Sequence, residues 1–269
     1  MMHLNTLAGW LQAARSAVVL TGAGVSTDSG IPDFRSPGGI WSRQRPVEYD
    51  DFVNSASARH RYWQQKCAGY RDFAAARPNV THQVLAQWER AGVLRGVITQ
   101  NIDGLHQDAG SQRVLELHGT VRQVACLRCP FRDQADTWVE SFLSDGRVPD
   151  CPACGAPLKH ATISFGQAMP EVVLSEAIHW CRAADLILTL GTSLVVMPAA
   201  DLPRLAVECG ARFVIINRDP TPLDRVADLV FNQSLDGVMT ELEKLVRLDS
   251  SSQPPSRDAS FDAGADESS

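Results

Sequence analysis

The stretch VVLTGAGVSTDSGIPDFR, residues 18–35, decides the fold. An apolar run leads directly into Gly-Ala-Gly at 22–24, which is how a dinucleotide-binding turn begins. The usual third glycine of the G-x-G-x-x-G pattern is missing, and Thr27 takes its place. The stretch then ends on Asp-Phe-Arg at 33–35, three side chains that a phosphate-binding turn does not need. Residues 18–35 therefore predict a nucleotide-binding turn followed by a segment that does not serve phosphate binding.

Short apolar runs that alternate with helical patterns extend this interpretation to the whole chain. Near-continuous apolar runs are typical of parallel strands with both faces covered. Such runs lie at residues 17–20, 96–99, 114–117, 186–190 and 213–216. Helical patterns lie at 82–91, 170–184 and 199–209. The alternation predicts an α/β fold with a Rossmann-like parallel sheet.

Small or polar residues follow each of the five predicted strands. In an open α/β sheet, ligands bind just beyond the carboxyl ends of the strands. Each residue alone has an ordinary structural explanation: glycines end many strands, Ser193 could cap a helix, and a lone His118 is more often structural. Together they predict a nucleotide site at one edge of the sheet. The candidates are Gly22, Ala23, Gly24, Gln100, Asn101, Ile102, Asp103, His118, Gly191, Thr192, Ser193 and Asn217.

Four cysteines form two C-x-x-C pairs separated by 21 residues. This spacing predicts tetrahedral zinc, with two redox-active pairs as the alternative. Four thiolates leave no open coordination position, so the metal is expected to be structural. It would stabilise a module that is too small for a core of its own. The predicted ligands are Cys126, Cys129, Cys151 and Cys154.

Composition and charge exclude several classes of protein. The net charge of -6 argues against a general nucleic-acid binder, because phosphate neutralisation needs a basic surface. No apolar run is long enough to span a membrane, and the first residues predict an amphipathic helix and no signal peptide, so we expect a cytoplasmic protein. The Ser-, Asp- and Pro-rich end predicts a disordered tail. Three lysines stand beside 22 arginines, a bias without a functional explanation at this stage.

In content and order, these motifs resemble those of the sirtuins, which are NAD-dependent protein deacylases. They are GAGVSTDSGIPDFR at 22–35, TQNID at 99–103, LHG at 117–119, the two C-x-x-C pairs, FG at 165–166 and GTS at 191–193. The resemblance covers about residues 7–245. Residues 51–56 and 61–63 look most like class II, the group of the fourth human sirtuin and its bacterial relatives.

The resemblance implies a division of the chain. A Rossmann-like NAD-binding domain would comprise 1–35, 79–121 and 159–248. A helical module with the cofactor-binding loop would be inserted at 36–78, and the zinc-binding module at 122–158. The tail would run over 249–269.

The resemblance also implies that NAD is consumed as a co-substrate. The bond between nicotinamide and ribose breaks, and the acyl oxygen of a modified lysine attacks the ribose carbon. His118 would then act as general base on a ribose hydroxyl, which suits a side chain whose pKa lies near working pH. Asp103 would hold the nicotinamide carboxamide, and Asn101 would lie by the ribose. The products would be free lysine, nicotinamide and O-acyl-ADP-ribose.

The remaining site residues follow from the same resemblance. Phe34 is implied as an apolar lid that excludes water from the reacting carbon. The residues expected at the cofactor are Asp33, Phe34 and Arg35 at the nicotinamide end, Gln100 with His118 at the ribose, and Gly191, Thr192, Ser193, Asn217 and, by position, Leu235 at the adenosine end. The acylated peptide is expected to add as an extended strand at Ile163, Phe165 and Gly166.

The sequence departs from the family pattern in three places. Gln167 stands where most relatives have an acid, and His160 where proline is usual. Sirtuins that remove succinyl groups carry Tyr-x-x-Arg, whereas this chain has Gln65 three residues after Tyr62. A negatively charged acyl group would lose its charged partner there, so weak desuccinylation is expected.

Three other functions stay open on the sequence. The first is protein mono-ADP-ribosyl transfer or NAD hydrolysis, which uses the same cleavage with another acceptor. The second is a nicotinamide oxidoreductase, disfavoured by the incomplete glycine pattern. The third is a module that senses NAD or ADP-ribose without turnover.

Overall fold

A six-stranded parallel sheet organises the computed structural model, which describes residues 2–35 and 38–250. In chain order the strands are β1 (Ala17–Thr21), β2 (Gly96–Thr99), β3 (Val114–Glu116), β4 (Gly119–Cys126), β5 (Arg132–Gln134), β6 (Leu158–Thr162), β7 (Leu186–Leu190), β8 (Arg212–Ile216) and β9 (Leu229–Phe231). The large sheet has the order β3-β2-β1-β7-β8-β9, with every pair parallel. Numbered within this sheet alone, that order is 3-2-1-4-5-6, which is the order of the Rossmann fold.

The helices flank both sheets. They are α1 (Met2–Ala13), α2 (Ile40–Arg43), α3 (Tyr49–Asn54), α4 (Ala56–Ala75), α5 (Val80–Arg90), α6 (Leu105–Asp108), α7 (Ala135–Asp145), α8 (Glu171–Ala183), α9 (Leu202–Glu208) and α10 (Leu235–Ser250). Within the described residues, none is long and apolar enough to cross a membrane.

The predicted strands and helices are confirmed, with small shifts at their ends. The helix expected over 199–209 begins as a 3-10 turn at Ala199–Asp201 and continues as α9. The sixth strand, β9, is an edge strand of three residues and was not among the predicted strands. The first two residues of the predicted tail end α10, and the rest of that tail lies outside the described residues.

The six-stranded sheet and its helices form what we call the large lobe. Side chains of β1 alternate between its two faces. Val19 packs in a core with α1, α5 and α10, whereas Val18 and Leu20 pack in a core with α8 and α9. Every residue of β1 and β7 is buried. Burial on both faces is the reason that these strands are continuous apolar runs.

The small lobe, as we define it, comprises α2–α4, β4–β6 and α7. Its three strands form an antiparallel sheet in the order β5-β4-β6. Trp63 of α4 is fully buried, and its indole N–H donates to the carbonyl of Leu158 at 2.9 Å. Phe52 and Trp63 share one apolar core with Val124 and Phe142. The helical segment and the cysteine-containing segment, far apart in sequence, therefore fold together.

Candidate functional site

A cavity of about 1300 Å³ lies between the two lobes, beyond the carboxyl ends of the parallel strands. Ligand pockets usually measure about 300–1,000 Å³, so this one has room for a large ligand and part of a second. Its wall contains nearly all the residues that the sequence predicted. They are Gly22, Ala23, Gly24, Asp33, Phe34, Arg35, Gln100, Asn101, Ile102, His118, Ile163, Phe165, Gly166, Gly191, Thr192, Ser193, Asn217 and Leu235.

The glycine turn after β1 crosses the turn after β7 at very short range. A Cβ atom on Gly22 would lie 2.7 Å from the Thr192 side chain, and one on Gly24 would lie 2.8 Å from the Cα of Gly191. The amide of Gly22 donates to the carbonyl of Leu190 at 3.0 Å, and that of Gly24 to the carbonyl of Gly191 at 2.8 Å. Two of the three backbone amides at 22–24, in the predicted phosphate-binding turn, are thus used within the protein. Here the glycines are required by the crossing itself.

His118 lies between β3 and β4 and is half-buried in the cavity wall. Its Nδ1 is 3.0 Å from the carbonyl oxygen of Gln100. Because a carbonyl can only accept, Nδ1 carries the hydrogen, and in the neutral ring the lone pair is therefore on Nε2. Burial lowers the pKa of His118, and the charge of Arg35 lowers it further, against the opposing effect of the Gln100 hydrogen bond. The geometry thus favours a neutral imidazole with Nε2 able to take a proton.

Ser26 connects the two polar residues that follow β2. The Ser26 hydroxyl donates to the carboxylate of Asp103 at 2.7 Å. The side-chain amide of Asn101 donates to the Ser26 hydroxyl oxygen at 3.2 Å. The other Asp103 oxygen accepts from the Leu105 amide at 2.9 Å. Asp103 is only 4% exposed and lies behind the wall of the cavity. Its contact with nicotinamide stays a prediction, because in this arrangement it reaches the cavity through Ser26 and Asn101.

A buried hydroxyl chain fixes the backbone at the same strand ends. The Thr21 hydroxyl donates to the Thr99 hydroxyl at 2.8 Å, and the Thr99 hydroxyl accepts from the backbone amide of Asn101 at 3.0 Å. Nε2 of the fully buried His106 lies 2.9 Å from the Thr21 hydroxyl. These contacts leave Asn101 little freedom to move relative to the sheet.

Arg122 holds the loop after β2 from outside. Its Nε donates to the carbonyl of Asp103 at 2.7 Å, and its two terminal nitrogens bind both carboxylate oxygens of Asp108. Gly104 has a φ of +74°, and a Cβ there would lie 2.4 Å from Nε of Arg122. The close approach of this arginine therefore requires glycine at that position.

Three aromatic rings lie in a row along the cavity wall and join the two lobes. The ring of Phe34 is 5.3 Å from that of Trp41, which is 5.2 Å from that of Phe165. The Arg35 guanidinium lies 4.3 Å over the Trp41 ring. These distances suit offset or edge contacts between rings and a cation–π contact. The row links the predicted lid residue to the predicted peptide segment.

The wall expected to receive the adenosine end is polar and already partly ordered. The side-chain amide of Gln100 donates to the Thr192 hydroxyl at 2.9 Å. The side-chain amide of Asn217 donates to the backbone carbonyl of Asp219 at 2.6 Å. Ser193 is exposed, and Leu235 begins α10.

The predicted peptide segment follows β6 directly and contacts His118. The Ile163 amide donates to the carbonyl of His118 at 2.8 Å. The Gln167 side chain accepts from the Ser164 amide at 3.1 Å, so this departure from the family pattern orders the segment locally. His160, the other departure, is 1% exposed and lies 4.9 Å from the Trp63 ring. It belongs to the core of the small lobe.

The four cysteines converge at the outer end of the small lobe. Their sulfurs all lie within 4.8 Å of one another. The shortest separations are 3.5 Å, between Cys126 and Cys154 and between Cys129 and Cys151. Tetrahedral zinc with bonds of about 2.3 Å places its sulfurs about 3.8 Å apart, so the cluster fits that ion. One cluster of four sulfurs disfavours two separate redox pairs and indicates a structural metal.

The sequence did not single out Ser26, Trp41 or Arg122. Ser26 stands within the quoted glycine motif, so its position was visible but its partners were not. Trp41 follows a run of turn residues that gives no sign of the rings it contacts. Arg122 lies 19 residues from Asp103 in sequence, and only the folded loop brings them together.

Comparison with known proteins identifies the family. The model of the Sir2 family matches residues 22–198. The chain belongs to the Sir2 family. The match includes the glycine turn, the polar residues after β2, His118, the four cysteines and the turn after β7.

Similar Sir2 proteins extend over most of the chain. An NAD-dependent protein deacetylase of Rhodopseudomonas palustris is 47% identical over 234 residues, which cover 86% of this chain and 92% of that protein. NAD-dependent protein deacetylase 1 of Geobacillus kaustophilus is 42% identical, with 91% of this chain and 99% of that protein covered. A solved Sir2–p53 peptide–NAD+ complex is 37% identical with a TM-score of 0.81, covering 91% of this chain and 98% of that one.

Proposed function

We propose that this Sir2 protein is an NAD-dependent protein lysine deacylase that releases nicotinamide and O-acyl-ADP-ribose. The observation that carries the proposal is the state of His118. Its Nδ1 donates to the Gln100 carbonyl, its Nε2 keeps a lone pair, and it shares one cavity wall with Asn101. The deacetylase relatives support the same conclusion.

In the proposed mechanism the large lobe acts on the ribose. Asn101, fixed by Ser26 and by the Thr99 hydroxyl, orients polar groups where charge develops as nicotinamide leaves. Phe34 covers this region and excludes water, which would otherwise compete with the acyl oxygen. Asp103 sets the position of Ser26 and Asn101 from behind.

His118 is proposed as the general base of the next step. Its Nε2 removes a proton from a ribose hydroxyl, and that oxygen attacks the acyl carbon. The Gln100 carbonyl stabilises the imidazolium that forms, because it accepts the hydrogen on Nδ1. The lowered pKa of His118, caused mainly by burial, keeps the base neutral before this step.

The binding roles of the other residues are proposals as well. Thr192, Asn217 and Leu235 line the part of the cavity where the adenosine end would bind, and Phe165 lines the part where the peptide would bind. The four cysteines would hold a structural zinc ion, whose chemistry is to keep the small lobe folded and not to act on substrate. The domain boundaries given above stay predictions.

The finer assignments each depend on one feature of the sequence. Class II membership rests on residues 51–56 and 61–63. A cytoplasmic location rests on the paired cysteines, which suit a reducing compartment and a metal, and the expectation that nucleic acid is not a partner rests on the net charge of -6. Weak turnover of succinyl-lysine stays a prediction. Gln65 lines the cavity, and its side-chain amide donates to the carbonyl of Arg45 at 2.9 Å.

A panel of acylated peptides tests the proposal. Purified protein is incubated with NAD and acetyl-, longer aliphatic, lipoyl- or succinyl-lysine peptides, and nicotinamide and peptide mass are followed together. We expect one nicotinamide released for each acyl group removed from at least one non-succinyl peptide. His118→Ala should lose this reaction. His179→Ala, a substitution of an exposed histidine on α8 away from the cavity, should keep it.

Release of nicotinamide without deacylation of any peptide would contradict the proposal. It would indicate NAD hydrolysis or ADP-ribosyl transfer, and labelled protein would distinguish these two. Reduction of the nicotinamide ring with an alcohol substrate would indicate an oxidoreductase. Binding of NAD without any cleavage would indicate a sensor.

A further inference from the structure

The three lysines of the chain lie in three different environments. Lys244 is exposed and pairs with Glu241 at 2.7 Å. Lys159 is 1% exposed, and its ammonium donates to the carbonyl of Thr162. Lys66 is half-buried in the wall of the substrate cavity. The chain has 22 arginines and only three lysines, so a lysine in the cavity wall is unusual for this sequence.

Lys66 has no acidic neighbour to hold its charge. It lies one helical turn after Tyr62 on α4, with Nζ 5.6 Å from the centre of the Tyr62 ring. Across residues 2–35 and 38–250, it forms neither an ion pair nor a hydrogen bond. The adjacent cavity residue Gln65 is different, since its amide is held by the Arg45 carbonyl.

A second ammonium group lies against the same ring. Nζ of Lys159, from β6, is 5.3 Å from the centre of the Tyr62 ring. Burial lowers the pKa of Lys66 to about 8, and burial together with the charge of Lys66 lowers the pKa of Lys159 to about 7. Burial raises the pKa of the nearby Cys67 on α4 and lowers that of His160 on β6, so neither supplies a negative charge at neutral pH. Loss of the charge on Lys66 would remove the repulsion between the two ammonium groups.

A neutral lysine that lines an open cavity can react as a nucleophile. Its nitrogen forms a bond to the carbonyl carbon of an acyl thioester, and the carbon–sulfur bond breaks. The thiolate leaves and takes up the proton that the amine loses, so that an amide and a thiol result. The amide carries no charge, and its acyl chain extends the side chain within the cavity.

We propose that Lys66 is a modification site, at which an acyl thioester transfers its acyl group to Nζ and the lengthened side chain obstructs the substrate cavity of the same molecule. The transfer itself does not depend on the proposed function. Only the effect on peptide turnover rests on it. The enzyme would then lose activity where acyl thioesters accumulate.

The unmodified protein provides its own comparison, because Lys66, Lys159 and Lys244 can be mapped separately by peptide mass spectrometry. The protein is incubated with acetyl-coenzyme A at pH 8, without NAD or peptide. At that pH about half of an amine with the pKa of Lys66 is neutral, against well under 1% of an ordinary lysine. A less basic amine is a weaker nucleophile and Lys66 is half-buried, so we expect Lys66 to react at least about tenfold faster than Lys244. Lys159 should stay unmodified because it is buried. Equal or faster reaction of Lys244, or no reaction at Lys66, would overturn the proposal.

The second measurement tests the obstruction. Peptide deacylation is measured before and after the same treatment, with thioester removed, in the natural chain and in Lys66→Arg. We expect turnover by the natural chain to fall in proportion to the modified fraction, whereas Lys66→Arg keeps its own untreated rate. Unchanged turnover with Lys66 fully acylated would overturn the obstruction. If untreated protein has no peptide turnover, the proposed function fails, and the mapping still decides whether Lys66 is modified.

Discussion

The two walls of the cavity are built in different ways. In and directly behind the wall from the large lobe, polar side chains are buried and bind one another: Ser26 is 1% exposed and joins Asn101, which lines the cavity, to Asp103 behind it. In the wall from the small lobe, Phe165, just beyond β6, is 41% exposed and its ring packs on that of Trp41, and Lys66 has no polar partner within the described chain. Buried side chains fix the first wall by hydrogen bonds to one another, whereas the Phe165 and Lys66 side chains of the second wall are held by packing.

The difference fits two tasks. Stabilising charge in a transition state needs dipoles that are oriented before the reaction, since reorientation during the step costs free energy. Accepting different peptides and acyl chains needs apolar contacts that can adjust. The comparison therefore assigns chemistry to the large lobe and substrate acceptance to the small lobe. A substitution in one wall should therefore change the function of that wall more than the function of the other.

Removal of zinc should have the largest effect. Structural zinc in small modules contributes on the order of 10 kcal/mol of apparent folding free energy. A strong chelator should unfold the small lobe and abolish peptide turnover, and added zinc should restore it. Metal content, tryptophan fluorescence of the buried Trp63 and turnover are followed together. Cys209→Ser, which changes an exposed cysteine outside the cluster, should behave like the natural chain. Full turnover by metal-free protein would contradict this prediction.

Loss of the base should come next. General-base catalysis contributes about 10²–10⁴ in rate, so His118→Ala should lower deacylation by that factor. Because the base acts after nicotinamide has left, exchange of labelled nicotinamide into NAD should fall less than deacylation. The two rates are measured on one preparation, with His179→Ala as control. An equal loss of both rates would contradict the proposed order of steps.

Ser26→Ala tests the hydrogen-bonded wall from behind. The substitution leaves the buried Asp103 carboxylate without the Ser26 hydroxyl and Asn101 without its acceptor. An unsatisfied buried group costs about 1–3 kcal/mol. We therefore expect kcat/KM for NAD to fall by about 10–100-fold, with a smaller change in KM for the peptide. Ser57→Ala on α4 is the surface control. A fall confined to the peptide KM would show that the two walls are not separate.

Arg35→Gln should have the smallest effect, visible in the pH profile. Arg35 is one of the causes that lower the pKa of His118, after burial. Removing its positive charge makes the imidazolium easier to form, so the pKa of His118 rises. The base is neutral only above its pKa, so the acid limb of kcat/KM should move to higher pH. Arg45→Gln controls for lost charge, and an acid limb that moves to lower pH would contradict the prediction.

Much of the fixed wall could be predicted from sequence, for a physical reason. Parallel strands bring their carboxyl ends to one edge, so residues that follow apolar runs, such as Asn101 and His118, must lie near one another. The C-x-x-C spacing likewise limits where four sulfurs can lie. Both features depend on local sequence and on simple rules of topology.

The rest depends on contacts between distant segments. Trp63 and Leu158 are 95 residues apart, yet their hydrogen bond lies in the core that the helical and zinc segments share. Asp103 is held behind the wall by the hydroxyl of Ser26, which lies 77 residues earlier in the chain. The use of the Gly22 and Gly24 amides follows from the crossing with the turn after β7. No periodicity or motif records such pairings.

The division between the walls is tested most directly by Phe165→Ala. This substitution removes a ring from the small-lobe wall and leaves every hydrogen bond of the large-lobe wall in place. Calorimetry gives the Kd of ADP-ribose, and steady-state kinetics give the KM of an acetylated peptide. We expect the peptide KM to rise by about tenfold, as for the loss of one buried aromatic contact, and the Kd of ADP-ribose to stay within about twofold. An equal rise in both constants would contradict the account, because it would mean that one wall cannot be changed without the other.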